Sequence, residues 1–203
     1  MCECCIKYPN SELFIIDNNS TYPPLLDWYK TCGYNLIQLN KNGKNRAAWD
    51  EKILEKYKNS FNYYVVSDSD LDLNNVPLDV LTILQNGLNK HKIYKAGLSI
   101  QIDDIPKNTI TKGCAEYEKK YWLNSLDDHF YLAKVSTTFA LYQFKEITKK
   151  WSLDAIRSKP PYTCKHIPWY ITSNNITNED IYYLKHLEYW THWTTKIKSK
   201  LNL

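Results

Sequence analysis

Apolar positions along this chain switch repeatedly between a period near two and a period near 3.6, and each switch marks an element. LFIID (13–17), NLIQLN (35–40) and YYVVSD (63–68) are short apolar runs bounded by Asn, Ser and Gly, and read as strands. Between the first two, PPLLDWYKTCG reads as a helix with Pro23 or Pro24 near its first position and Gly33 past its end. From Lys44 to Lys58, Ala47, Ala48, Ile53, Leu54 and Tyr57 recur at helical spacing. Pro77 opens a helix carrying Leu78, Leu81, Leu84 and Leu88. Residues 93–103 (IYKAGLSIQID) read as a strand, TKGCAEYEKKYWLNSL as a helix, and FYLAKV and TTFALYQ as further strands. Residues 144–176 read as loop-rich, and a last helix starts at Thr177, whose spacing to Asp180 makes a capping box. Alternating strands and helices predict an α/β fold with a mixed, mostly parallel sheet and helices on both faces.

In such a sheet, ligands gather at the carboxyl ends of the strands. The third strand runs into Asp68, Asp70 and Asp72, carboxylates at alternate positions that repel one another. They are either a solvated turn or the holders of something cationic. The calcium loop of an EF-hand needs Gly at position six and Glu at twelve, where this chain has Leu73 and Asp79, so that reading fails. Two carboxylates one residue apart can share a divalent cation that itself bridges a diphosphate. The loop NKNGKNRAAW, with Gly43, Lys41, Lys44 and Arg46 at a helix start, suits phosphate oxygens.

Composition narrows the class. The chain has 203 residues and a mild net charge of +4, with scattered lysines, which gives nucleic-acid binding little support. It lacks the apolar run of about 20 residues that spans a bilayer, and the reading is a soluble, cytoplasmic protein without stable membrane insertion. Cys2 and Cys5 form a C-x-x-C without the second ligand pair of a zinc site, so the six cysteines read as reduced thiols. In the C-terminal segment, Ile181, Leu184, Leu187, Trp190 and Trp193 form an apolar stripe expected to dock as core, with Lys196, Lys198 and Lys200 at the end.

Taken in order, strand–DNNST, strand–N-x-N-G-x-x-R, strand–SDSD, then KAGLSIQIDDIP, E-x-x-Y-W (Glu118 to Trp122), STTFALYQ and AIRSKPPYTCKHIPWY, the motifs resemble a family of small GT-A glycosyltransferases of bacteria and large DNA viruses, including chlorovirus glycosyltransferase domains. The resemblance covers about Leu13 to Tyr183 and implies one GT-A (Rossmann-like) domain over 1–203. Within it, residues 13–75 form the nucleotide- and metal-binding half, 90–175 the sugar and acceptor half, and 177–200 a C-terminal helix. It implies transfer of a sugar from a UDP-sugar donor to a glycan or other hydroxyl acceptor, with Mn2+ or Mg2+, in host cytoplasm if the source is viral. Asp17, Asn18, Asn19 and Ser20 match the segment that holds uracil and ribose, and Arg46 an arginine near the nucleotide. Asp68 and Asp70 match the D-x-D pair, and His166 the late histidine that completes the metal site. Arg157 and Lys165 are cations for the leaving diphosphate, with solvated loop charges as the other reading. Asp103 and Asp104 are named as the catalytic carboxylates, one of them alternatively as a binder of sugar hydroxyls or a turn cap before Pro106, with Glu116 as second choice.

Two departures from the family stand out. Only twelve residues precede Leu13, where such enzymes place a further strand and helix, and Ser136 stands where the family has Asp. A non-catalytic nucleotide-sugar-binding or assembly module of the same fold, one piece of a longer multidomain protein, is therefore the alternative. A nucleotidyltransferase is a further one, but its Gly-rich phosphate loop is not seen.

Overall fold

The computed structural model describes residues 1–107, 109, 113–136, 138–145, 155–187 and 192–201. A one-turn α1 (Cys2–Cys5) precedes β1 (Phe14–Asp17), α2 (Pro23–Tyr29) and β2 (Asn35–Gln38), and β1 and β2 pair in parallel. Pro23 and Pro24 occupy the first turn of α2, where missing N–H groups cost nothing. The segment expected as one helix over 44–58 is instead a 3-10 turn (Lys44–Arg46), a short α3 (Ala47–Asp50) and a second 3-10 turn (Leu54–Lys56). Lys52, at a φ of 55°, breaks the helical path between them.

After β3 (Tyr63–Val66) and β4 (Leu71–Asp72), α4 (Val80–His91) lays Val80, Leu84 and Leu88 onto Leu71, Leu98, Phe130 and Ile156. The helix begins later than expected, so Leu78 stands exposed outside it. The expected strand 93–103 is divided into β5 (Lys95–Gly97) and β6 (Ser99–Ile100), which belong to different sheets. Gly97 permits this: a Cβ there would lie 2.4 Å from Val135 Cγ1 and 3.2 Å from the Phe139 carbonyl oxygen. Then follow α5 (Cys114–Lys119), β7 (Phe130–Leu132), β8 (Ala140–Gln143), β9 (Ala155–Ser158) and β10 (Thr163–His166). The last two strands lie inside the stretch expected to be loop-rich.

Strand direction is mixed rather than mostly parallel. In the five-stranded sheet, of order β3-β8-β5-β9-β7, only β5 and β9 run parallel. A three-stranded sheet sets β10 between β4, antiparallel, and β6, parallel. A second core packs Trp49, Tyr64 and Tyr142 together; Trp49 Nε1 donates to Tyr64 Oη at 3.1 Å, and the two tyrosine rings stack at 5.0 Å.

The capping box appears as expected. Asp180 N donates to Thr177 Oγ1 and Thr177 N to Asp180 Oδ2, and this starts α6 (Asn178–His186). The single C-terminal helix does not: Leu187 turns extended, and α7 (His192–Leu201) is a separate helix. Leu184 packs with Ile171 and Ile197, so this part of the stripe is docked core. Trp190 and the side chains of Trp193, Lys196 and Lys200 lie outside the described residues. No described helix is long and apolar enough to cross a membrane.

Candidate functional site

Backbone pairing between β4 and β10 builds the centre of the site. His166 lies opposite Leu71, Lys165 opposite Asp72, and Ile167 N donates to the Asp70 carbonyl at 2.9 Å. This ladder sets His166 Nε2 3.3 Å from Asp70 Oδ2, although the two residues come from distant parts of the chain. Asp70 Oδ1 is buried and accepts no hydrogen bond among the described residues. A buried, unsatisfied carboxylate oxygen is costly to leave unmade, so it marks a place where a cation or a donor belongs. The His166 ring packs on Trp169 with centroids 5.1 Å apart. From α6, Tyr183 faces Asp68 and Asp70; burial and then these two carboxylates push its phenol up.

Beneath the aspartates lies a layer of buried charge. The guanidinium of Arg157, on β9, is ion-paired with Glu118 of α5, and their side chains are only 4% and 5% exposed. Arg157 Nε also donates to the Lys134 carbonyl at 2.6 Å. Burial pushes the Glu118 carboxyl above the usual range, against the pull of Arg157 and then His166, so Glu118 belongs to the same electrostatic cluster. Lys95 of β5 is buried as well, and its Nζ donates to the Val135 carbonyl at 2.5 Å. Burial, and then Arg157, lower the Lys95 ammonium to about 8, while Asp68 pulls it back up.

On the other side of β10, Lys165 Nζ lies 2.5 Å from Asp104 Oδ2, and Tyr170 Oη donates to Asp104 Oδ1 at 2.5 Å. Burial opposes ionisation of Asp104, but these two hydrogen bonds outweigh it and hold the carboxyl below its ordinary range. Lys165 and Asp104 therefore neutralise each other, whereas Asp103 stands exposed beside them. Arg157 is a buried structural cation, not a loop charge, and Lys165 is committed to a carboxylate. Glu116 lies apart: its side chain is 70% exposed and pairs with Lys119 one turn along α5. Glu118 is the acid that α5 turns inward.

The loop after β1 forms a third part. Asp17 is buried, and its carboxylate accepts from Ser20 N and Tyr29 Oη, both at 3.1 Å, which closes the DNNS turn on itself. Asn19 takes the left-handed conformation at a φ of 64°. Asn18 Oδ1 accepts from Gly43 N, and its Nδ2 donates to the Lys44 carbonyl, which ties this turn to the N-x-N-G loop. Arg46 pairs with Asp50 at 3.1 Å on the surface of α3. Helix α6 is tied to this region: Tyr182 Oη donates to the Thr21 carbonyl at 3.0 Å, and the charges of Asp70 and Asp68 reach its neighbour Tyr183.

The structure thus brings together Asp68, Asp70, His166, Arg157 and Glu118, with Lys165, Asp104 and Asp103 along one edge. Among the described residues no three His, Cys, Asp or Glu side chains converge tightly enough to hold a metal ion by themselves. The donor pair Asp70–His166, one carboxylate and one imidazole, would suit a divalent cation such as Mn2+ whose remaining ligands come from a substrate and water. Sequence reasoning passed over Lys95 and the inward role of Glu118. A lysine in the otherwise apolar YKAGLSI run was the signal for the first. For the second it was the spacing from Cys114, which puts both residues on the buried side of α5.

The chain matches no protein-family model, and a search of curated proteins finds no match. What the fold defines is an α/β protein with mixed sheets and a buried-charge cluster where two of the sheets meet.

Proposed function

We propose that this protein is a glycosyltransferase that takes a UDP-sugar donor in the presence of Mn2+ or Mg2+ and glycosylates a hydroxyl of a glycan acceptor. The observation that carries the reading is the Asp70–His166 pair with its buried, unsatisfied Asp70 Oδ1. The order of motifs that resembles small GT-A enzymes supports it, and so does the contact of α6 with the DNNST loop through Tyr182.

Asp70 and His166 would hold the cation, with Asp68 beside them; when bound, it supplies positive charge against the diphosphate. Asp17 acts indirectly, by shaping the turn whose Asn18 and Asn19 present polar groups to uracil and ribose. In the reaction the acceptor oxygen bonds to the anomeric carbon as the C–O bond to UDP breaks, and the electron pair leaves with the diphosphate. The acceptor proton must pass to a base. Asp103 suits that role better than Asp104, whose two oxygens are already engaged by Lys165 and Tyr170. With Arg157 balanced by Glu118, Lys95 is the buried cation that favours a negatively charged leaving group.

The engaged state of Asp104, together with Ser136, whose Oγ lies 2.7 Å from Thr138 Oγ1, favours a second reading: a module that binds a nucleotide-sugar without turning it over. One experiment covers both. Calorimetry with UDP-glucose, UDP-galactose and UDP-N-acetylglucosamine, with and without Mn2+, is run beside an assay for released UDP. Mn2+-dependent binding with UDP release supports the transferase, binding alone supports the module, and no binding by any of them sinks both.

A further inference from the structure

An aromatic strip leaves the buried cluster and reaches the surface. Arg157 stacks over the Tyr121 ring at 4.3 Å, and Tyr121 meets Tyr117, itself 60% exposed, edge to face. On the neighbouring strand, Tyr131 lies opposite Arg157 in the β7–β9 register, and its ring meets Trp122 at 5.7 Å. Two cations lie on these faces. Lys120 Nζ sits 3.4 Å from the Tyr117 ring centre and 4.8 Å from that of Tyr121, and Lys159 Nζ lies 5.0 Å from that of Tyr131. Lys159 spends its hydrogen bonds on Ser125 Oγ and the Asp127 carbonyl, and neither lysine meets a carboxylate among the described residues.

Aromatic rings that stay exposed offer faces on which the C–H side of a sugar ring packs, and ammonium groups beside them favour an anion. We infer that this strip is the acceptor surface and that it takes an acidic saccharide, with a sugar ring on the exposed Tyr117 and a carboxylate on Lys120, while the half-buried Tyr121 backs them. The inference rests on the glycosyltransferase reading for its role, but not for its chemistry. Continuity with the site carries it: Arg157 touches both Glu118 of the cluster and Tyr121 of the strip.

The test is an indole NMR titration of the full chain with trigalacturonic acid, with maltotriose as the neutral control and UDP–Mn2+ as a separate arm. Trp122 reports on the strip, because its Nε1 is buried and makes no hydrogen bond among the described residues; its resonance is identified by its loss in Trp122→Phe. Trigalacturonic acid is expected to shift that resonance, more weakly at high salt. The double variant Tyr117→Ala/Lys120→Gln is expected to weaken binding by about fivefold or more, without changing the melting temperature, since both side chains are exposed. No shift, equal binding of maltotriose, or undiminished binding by the double variant would overturn the inference. Loss of the UDP–Mn2+ response alone would sink the transferase reading and leave the acidic-saccharide surface standing.

Discussion

His166 is held 3.3 Å from Asp70 by main-chain hydrogen bonds, not by the two side chains themselves. The β4–β10 ladder fixes both Cα positions before any ligand arrives, so the pair is pre-organised. Removing one side chain should therefore cost binding and leave the fold alone. Asp70→Ala is expected to weaken Mn2+-dependent UDP-sugar binding by more than about tenfold, or about 1.4 kcal/mol, with a melting temperature close to wild type. Undiminished affinity in calorimetry would remove Asp70 from the proposed metal site.

The buried Arg157–Glu118 pair behaves differently. Breaking a buried ion pair leaves an uncompensated charge and costs on the order of 3 kcal/mol or more. Glu118→Gln and Arg157→Met are each expected to lower the urea midpoint sharply. The double variant should lose less than the sum of the two, because no orphan charge remains. Additive losses would show that the two residues act independently.

Lys95 supplies a pH dependence of known sign. Its folded value, about 8, lies below the unfolded value of 10.5, so between these the unfolded chain binds more protons. Stability then rises with pH across that window, by up to about 3 kcal/mol for this group. Tyrosines such as Tyr8 and Tyr64, raised to about 12 by burial, ionise near the upper end only when unfolded, so the clean quantity is the difference between wild type and Lys95→Met. The variant should lack the rise between pH 8 and 9.5; a difference that does not change with pH would contradict the burial of Lys95 as a charge.

Gly87 tests the packing under α4. Alanine is better than glycine in a helix by about 1 kcal/mol. A Cβ here, however, would lie 2.5 Å from Phe130 Cζ and 2.8 Å from Ile156 Cδ1, both in the core. Overpacking of this kind costs about 1–3 kcal/mol. Gly87→Ala should therefore lower stability in thermal or urea unfolding, and a more stable variant would show that β7 and β9 yield more easily than their burial implies.

Periodicity and local chemistry determined the α/β class, the strands β1, β2, β3 and β8, the proline start of α2 and the Thr177–Asp180 capping box. These depend on contacts within a few residues, so spacing alone carries them. The D-x-D aspartates were also legible as residues of interest, because charged groups at strand ends call for partners, whereas His166 was picked out only by the family resemblance. Tertiary structure decided what such local signals do not contain. The strand directions depend on which edges meet, and β8 entered between β3 and β5 antiparallel to both. The chain changed sheets at Leu98, where Gly97 lies under Val135 and the Phe139 carbonyl, and this split a continuous apolar run in two. Prolines disguised β9 and β10 as loop, because ladder bonds to β5, β6 and β4 outweigh local propensity there. The roles of the charges followed from that packing. Arg157 became a buried partner of Glu118, Lys165 a partner of Asp104, and Glu116 a surface residue, since the solvent exposure of each depends on residues far away in the chain.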